Sequence, residues 1–141
     1  MRKNKQRGWL DSNVVLRFLI RDHEKYFQAA KELFTKAEKG ELALLIHPLT
    51  IAELVWTLES FYEYEKKEIV NTLLGFIDAE GIEVPEKEII RKALVDYADK
   101  NVDYLDSYLA AYAGQIGPRT IFTLDKKHFK RLEGDIKFLE P

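Results

Sequence analysis

The chain has 141 residues, of which 46% are hydrophobic and 33% are charged, a composition that predicts one globular domain with a real core. The formal net charge of -2 argues against a surface that attracts nucleic acid everywhere, so a polyanionic partner would need a local basic patch or a metal ion. The chain has no cysteine, which excludes disulfides, thiolate metal sites and cysteine nucleophiles. Without a membrane-length apolar run or a signal core, we expect a cytoplasmic protein.

The first predicted elements meet at Asp11. Residues 1–7 are rich in Lys and Arg and are interpreted as a solvated tail, which leaves a single domain over residues 8–141. Trp9 and Leu10 predict a strand that ends at Asp11, and the amphipathic run after it predicts a helix. Asp11 would then either cap the helix, which is the commoner use of Asp there, or face a ligand at the strand end.

Helices and short apolar strands alternate along the rest of the chain. Helical spacing of apolar residues predicts further helices over about 26–37, 67–79, 89–98, 103–113 and 126–132, and one more that runs to about 62 and whose start is signalled by Pro48 and Thr50. Apolar runs predict strands over 42–46, 120–124 and 136–139, with a short connecting or edge segment over 82–84. This alternation predicts an α/β fold in which helices cover a parallel sheet, and ligands of such sheets gather at the carboxyl ends of the strands.

Four carboxylates fall at that predicted edge. Asp11 and Asp125 each end a predicted strand and begin a helix, while Glu53 and Asp106 are expected in the first turn of a helix. The ordinary interpretations are a capping box between Thr50 and Glu53, and helix-dipole compensation by Asp106. Clustered carboxylates repel one another, however, and a fold that collects four of them normally supplies a cation. Oxygen ligands with open positions suit Mg²⁺ or Mn²⁺, which polarise a phosphoryl oxygen and activate water.

The four segments around these carboxylates resemble the motifs of the PIN-domain family, and in particular those of VapC-type toxin ribonucleases. The resemblance runs from Trp9 to Phe138, and the motifs LDSNVVLR, TIAELVW, DSYLAAYA and FTLDKKHF occur in the order that the family shows. It implies a three-layer α/β/α sandwich with a short parallel sheet flanked by helices. It also implies a Mg²⁺- or Mn²⁺-dependent ribonuclease of single-stranded RNA.

Carried over residue by residue, the resemblance implies four metal-binding and catalytic carboxylates: Asp11, Glu53, Asp106 and Asp125. Asn13 and Thr123 would be polar supporters that orient a carboxylate or a water. Asp103 rivals Asp106 for the third position, and Asp106 is preferred because the small-residue run follows it directly.

The sequence also contains a basic cluster after Asp125 and three histidines. The basic residues after Asp125 form either a solvated helix face or a rail for RNA phosphates: Lys126, Lys127, Lys130 and Arg131. His23, His47 and His128 do not share a metal-ligand spacing; His47 is interpreted as strand-end structure and His128 as a surface residue. The sequence has no glycine-rich phosphate loop and no nucleophile elbow, so neither a nucleotide cofactor nor a hydrolase triad is expected.

The expected partners are an RNA substrate, an antitoxin protein and a second copy of the chain, with no membrane. The aromatic-rich helices around Trp56 to Tyr64 predict the surface of a homodimer or an antitoxin. Two alternatives stay open. One is a maturation nuclease for RNA or structured DNA without a toxin role. The other is a non-catalytic RNA-binding scaffold that kept the fold, against which the intact acidic quartet argues.

Overall fold

A computed structural model describes residues 6–140, and within that range the chain forms seven helices and five short strands. Its contacts divide it into two compact units, the first made of residues up to 63 and 75–85, the second of 64–74 and 86 onward. Among the helices of the described range, none combines the length and the apolar character that crossing a membrane requires. The single domain over 8–141 stays a prediction.

Unit 1 contains a three-stranded parallel sheet in the order β1-β2-β3. Its strands are β1 (Gln6–Trp9), β2 (Leu42–Leu45) and β3 (Ile82–Glu83). Its helices are α1 (Ser12–Ile20), α2 (Glu24–Glu38) and α3 (Pro48–Ser60). The predicted basic tail ended at Arg7, but β1 begins at Gln6, and residues 1–5 of that tail lie outside the described residues.

The core of unit 1 explains why β2 is a continuous apolar run. Ala43, Leu44, Leu45 and Ile46 are all buried, as in a parallel strand that is covered on both faces. A close approach of α2 to the start of β3 requires Gly81, because its φ is +83° and a Cβ there would overlap the backbone of α2. The pairing of β1 with β2 aligns their carboxyl ends, so the residues that follow both strands emerge at one edge of this sheet.

Unit 2 contains a second parallel pair, β4 (Thr120–Thr123) with β5 (Asp135–Phe138). Its helices are α5 (Lys87–Asp99), α6 (Tyr104–Gln115) and the single turn α7 (Lys126–Phe129), and α4 (Lys66–Ile77) begins in unit 2 and ends in unit 1. Small side chains of α6 belong to one buried cluster with residues of the sheet and α7: Val102, Ala110, Ala113, Ile121, Phe129 and Leu132. Ser107 of α6 donates from Oγ to the carbonyl of Ala93 on α5 at 2.9 Å, which satisfies a fully buried hydroxyl.

The predicted α/β class with short parallel sheets flanked by helices is confirmed. The alternation of elements is also as predicted, with boundaries that shift by a few residues. Two shifts matter for function. Of the two residues that signal the start of α3, Pro48 and Thr50, the helix begins at Pro48, and α7 ends at Phe129 and not near Leu132.

Candidate active site

Asp11 occupies the turn between β1 and α1 in unit 1. Its backbone is extended, with φ -80° and ψ 147°, and its carbonyl accepts the hydrogen bond of the Val14 backbone N–H at 3.1 Å. Its exposed side chain makes no capping hydrogen bond to α1. The carboxylate is therefore at the helix N-terminus without the bond that an ordinary Asp cap makes.

Glu53 lies in the second turn of α3, so its predicted place in the first turn was wrong. The helix begins earlier because Pro48 is its first residue and His47 is its cap, with Nδ1 of His47 accepting from the Leu49 N–H at 3.0 Å. The predicted capping box was wrong for the same reason, since Thr50 lies inside the helix and not at its cap. Glu53 is exposed, and α3 follows β2 at the same sheet edge from which Asp11 emerges.

His128 is the centre of a carboxylate cluster in unit 2, and its interpretation as a surface residue was wrong. The side chain is 16% exposed, and its Nδ1 lies 3.1 Å from Asp106 Oδ2, 3.3 Å from Asp125 Oδ2 and 3.5 Å from Asp103 Oδ2. Asp125 caps α7, with Oδ1 accepting from the His128 backbone N–H at 3.0 Å. Because Asp125 caps the single turn of α7, the side chain of His128, three residues further along, lies against the Asp125 carboxylate.

Both Asp103 and Asp106 take part in this cluster, which bears on the choice left open between them. They are spaced by three residues at the start of α6, and such a spacing puts side chains on one face of a helix. Asp103 holds the cap position but makes no capping hydrogen bond, and its side chain is 71% exposed. Asp106 is the closer of the two to His128 and is 25% exposed.

The cluster shifts the pKa values of two of its carboxyls in opposite directions. Burial raises the pKa of Asp106, the negative charges of Asp103 and Asp125 raise it further, and the hydrogen bond with His128 works against them. Asp125 has a lowered pKa, first because the His128 backbone N–H donates to its carboxylate. Two carboxyls of different acidity thus lie against one imidazole, an arrangement typical of sites that move protons or bind cations.

The predicted supporting residues lie beside the carboxylates in the sequence, and one of them contacts its neighbour. Thr123 Oγ1 accepts from the Asp125 backbone N–H at 3.0 Å, which fixes the turn from β4 into α7. Asn13 is exposed in the first turn of α1, two residues after Asp11.

The four basic residues around α7 differ in their contacts. Lys126 Nζ lies 2.6 Å from Glu140 Oε1, and Arg131 donates from Nη1 to the carbonyl of Asn101 at 2.7 Å. Lys127 and Lys130 are exposed. Because α7 is a single turn, it does not present these residues as the regular basic stripe that a longer helix would. Their role as a phosphate rail stays a prediction.

The donor atoms of unit 2 fit a divalent cation. One ligand atom from each of Asp103, Asp106 and His128 lies within 4.8 Å of the others, and Asp125 adds a further carboxylate to His128. Carboxylate oxygens are the ligands that Mg²⁺ and Mn²⁺ prefer, whereas imidazole nitrogen suits later transition metals. Asp11 and Glu53 belong to unit 1, so their share in the same site stays a prediction.

Comparison with known proteins gives two findings. A family model described as PIN domain matches residues 9–135. A VapC ribonuclease of Aquifex aeolicus strain VF5 is 29% identical over 124 residues, which cover 87% of this chain and 90% of that relative. The family match extends across the segments that carry Asp11, Glu53, Asp106 and Asp125.

Proposed function

The chain belongs to the PIN-domain family, and from that premise we propose that it is a divalent-metal-dependent endoribonuclease of single-stranded or loop RNA, the toxin of a toxin–antitoxin pair. The observation that carries the proposal is the group of three carboxylates that converge on the partly buried His128. The similarity to a VapC ribonuclease over most of both chains supports the same activity.

Six residues have roles in the proposed mechanism. Asp11, Glu53, Asp106 and Asp125 are the proposed ligands of Mg²⁺ or Mn²⁺, which when bound would lower the pKa of water and neutralise charge on phosphate. Asp125 keeps its negative charge because its lowered pKa favours the carboxylate form. Thr123 fixes the backbone of Asp125, and Asn13 would orient a carboxylate or a water.

Four near-isosteric substitutions test the activity: Asp11→Asn, Glu53→Gln, Asp106→Asn and Asp125→Asn. We expect cleavage of a fluorescent single-stranded RNA in Mn²⁺ or Mg²⁺ to fall in each variant, because a hard cation loses a charged ligand. Asp135→Asn is the matched control, since Asp135 bonds Thr120 at the opposite end of β4 from Asp125. Full metal-dependent activity in all four variants would refute the assignment.

The toxin role is tested in cells. Expression of the parent chain should arrest growth, expression of Asp106→Asn should not, and co-expression of a small antitoxin encoded beside the gene should relieve the arrest. A maturation nuclease would instead cleave RNA in vitro without arresting growth. We propose that the substrate is single-stranded RNA in the cytoplasm.

A homodimer and an antitoxin are the proposed protein partners. Unit 1 exposes Phe61 just after α3, and unit 2 exposes Leu105 and Leu109 on α6 and Ile116 just after it. A cavity of about 490 Å³ in unit 1, lined by residues of α1 and α2, has the size and apolar character to take a peptide segment. Light scattering that gives the monomer mass of 16.5 kDa at micromolar concentrations would refute the homodimer.

A further inference from the structure

The two tryptophans of the chain are both exposed, and each lies beside a carboxylate that the proposed function assigns to the metal. Trp9 is 61% exposed and lies two residues before Asp11, and Trp56 is 67% exposed and lies three residues after Glu53. Tryptophan is on average a strongly buried residue, so two exposed tryptophans that each lie near a proposed metal ligand suggest a binding role.

Trp9 and Asp11 lie on one side of the chain at the end of β1. Leu10 between them is buried, and the backbone of Asp11 is extended, so the alternation of strand side chains continues through this segment. The ring of Trp9 lies 5.8 Å from the ring of His47, the cap residue of α3. Trp9 is therefore placed between the turn that carries Asp11 and the N-terminus of the helix that carries Glu53.

Trp56 and Glu53 lie on the exposed face of α3. They are one helical turn apart, and residues at that spacing are neighbours on the helix surface. The opposite face of α3 is fully buried, since Leu54, Val55 and Leu58 pack into the core. Core packing thus fixes the orientation of the helix, and this orientation puts Glu53 and Trp56 together at the surface.

We propose that Trp9 and Trp56 bind the RNA substrate by stacking on its bases, beside the Asp11 and Glu53 carboxylates to which the proposed function assigns the metal. The inference rests on the proposed function. Carboxylates and a cation recognise only the phosphate, which duplex and single strand share. Aromatic rings recognise unstacked bases, and this contact selects single-stranded RNA without demanding a sequence.

The charge of this face favours RNA over a protein as the occupant. A protein surface that covered Trp9 and Trp56 would also bury the exposed carboxylates of Asp11 and Glu53, so it would have to bring cationic side chains to pair with them. RNA with a divalent cation brings the positive charge that neutralises those carboxylates. Its bases would cover the two apolar rings at the same time.

The chain supplies its own fluorescent reporters for the test. Trp9→Phe leaves Trp56 as the single tryptophan, and Trp56→Phe leaves Trp9. Each variant is titrated with a single-stranded 2′-O-methyl oligonucleotide, and gel electrophoresis after the titration checks that the oligonucleotide is intact. We expect the remaining tryptophan to be quenched in both variants, and the quenching to disappear with an abasic oligomer of the same length.

Affinity gives the second measurement. Trp56→Ala should weaken binding of the single-stranded oligonucleotide by roughly 5- to 100-fold, and Trp56→Tyr should restore most of it, because base stacking on an aromatic ring has about that effect per base. Phe61→Ala is the matched control, since Phe61 is an exposed aromatic residue of the same unit that lies two turns beyond Glu53. It should leave the affinity unchanged.

Three outcomes would overturn the inference. They are no quenching in either single-tryptophan variant, equal quenching by the abasic oligomer, and unchanged oligonucleotide affinity in Trp56→Ala together with a loss of dimer mass. The last result would assign the face to a protein interface. Cleavage of unmodified RNA is measured separately, so base-dependent quenching without metal-dependent cleavage would refute the nuclease and support the stacking sites.

Discussion

Two turns of this protein carry the same residue in the same local setting, and they use it differently. Asp11 in unit 1 and Asp125 in unit 2 each follow a parallel strand and precede a helix. Asp125 caps its helix through Oδ1 and meets His128 through Oδ2. Asp11 makes neither kind of contact with α1, and its carboxylate is exposed. The position of an Asp at a strand end thus does not determine its role, because the nearby donors decide it.

The contrast extends to the surroundings of the two turns. In unit 2 the carboxylates of Asp103, Asp106 and Asp125 lie against the imidazole of His128, and the pKa of Asp106 is raised while that of Asp125 is lowered. In unit 1 the carboxylates are exposed beside exposed tryptophans. The carboxylates of unit 2 are therefore positioned by protein contacts, whereas the exposed carboxylates of unit 1 are accessible to solvent and to a ligand.

The largest effect on RNA cleavage is expected when one carboxylate charge is removed from either turn. Asp11→Asn and Asp125→Asn should each lower metal-dependent RNA cleavage by at least about 100-fold, the range seen when one charge-stabilising group is lost from a preorganised site. Neither change should unfold the protein, since Asn can replace Asp125 as the cap of α7 and Asp11 makes no capping bond to α1. Initial cleavage rates in Mn²⁺ and circular dichroism would check both statements. Parental rates in Asp11→Asn alone would confine catalysis to the residues of unit 2.

A smaller effect is expected at His128. His128→Ala should lower cleavage by about 10- to 100-fold, as the loss of a group that orients metal ligands commonly does. The Asp125 cap should survive, because its donor is the backbone N–H of residue 128. Mn²⁺ should still raise the melting temperature of the variant, but by less than in the parent. An unchanged cleavage rate would mean that the imidazole only fills space among the carboxylates.

Much of this arrangement follows from the sequence, and the part that does not has physical reasons. The apolar runs predicted the strands and the helical spacing predicted the helices, because burial periodicity is a local property of the chain. The turn of Glu53 was mispredicted because Thr50 and Glu53 imitate a capping box, while Pro48 starts the helix one residue after an unusual cap, His47. The role of His128 was missed because it depends on contacts with α6, which a linear spacing does not reveal.

The melting temperatures of two alanine variants should distinguish the two turns independently of catalytic activity. Asp125→Ala removes a capping bond and should lower the melting temperature of the metal-free protein by about 2–5 °C. Asp11→Ala removes no such bond and should leave the melting temperature within about 1 °C of the parent. Differential scanning calorimetry in EDTA would measure both. Equal destabilisation in the two variants would show that Asp11 caps α1 in solution.

The smallest expected effect is a stabilisation, and its pH dependence identifies its cause. The pKa of Asp106 is raised by burial and by its carboxylate neighbours, so its ionised form is less favourable in the folded chain than in the unfolded one. That unfavourable contribution is fully present above the raised pKa and disappears as the pH falls below the ordinary value of an aspartic acid. Asp106→Asn removes the charge, and it should raise the melting temperature of the metal-free protein by about 1–3 °C at neutral pH. The gain should vanish in acid, where Asp106 of the parent is also neutral.

The same substitution at Asp135, whose pKa is lowered by its bonds to Thr120 and Lys137, should instead lower the melting temperature at neutral pH. A stabilisation by Asp106→Asn that persisted unchanged at low pH would point to packing and not to charge as its origin.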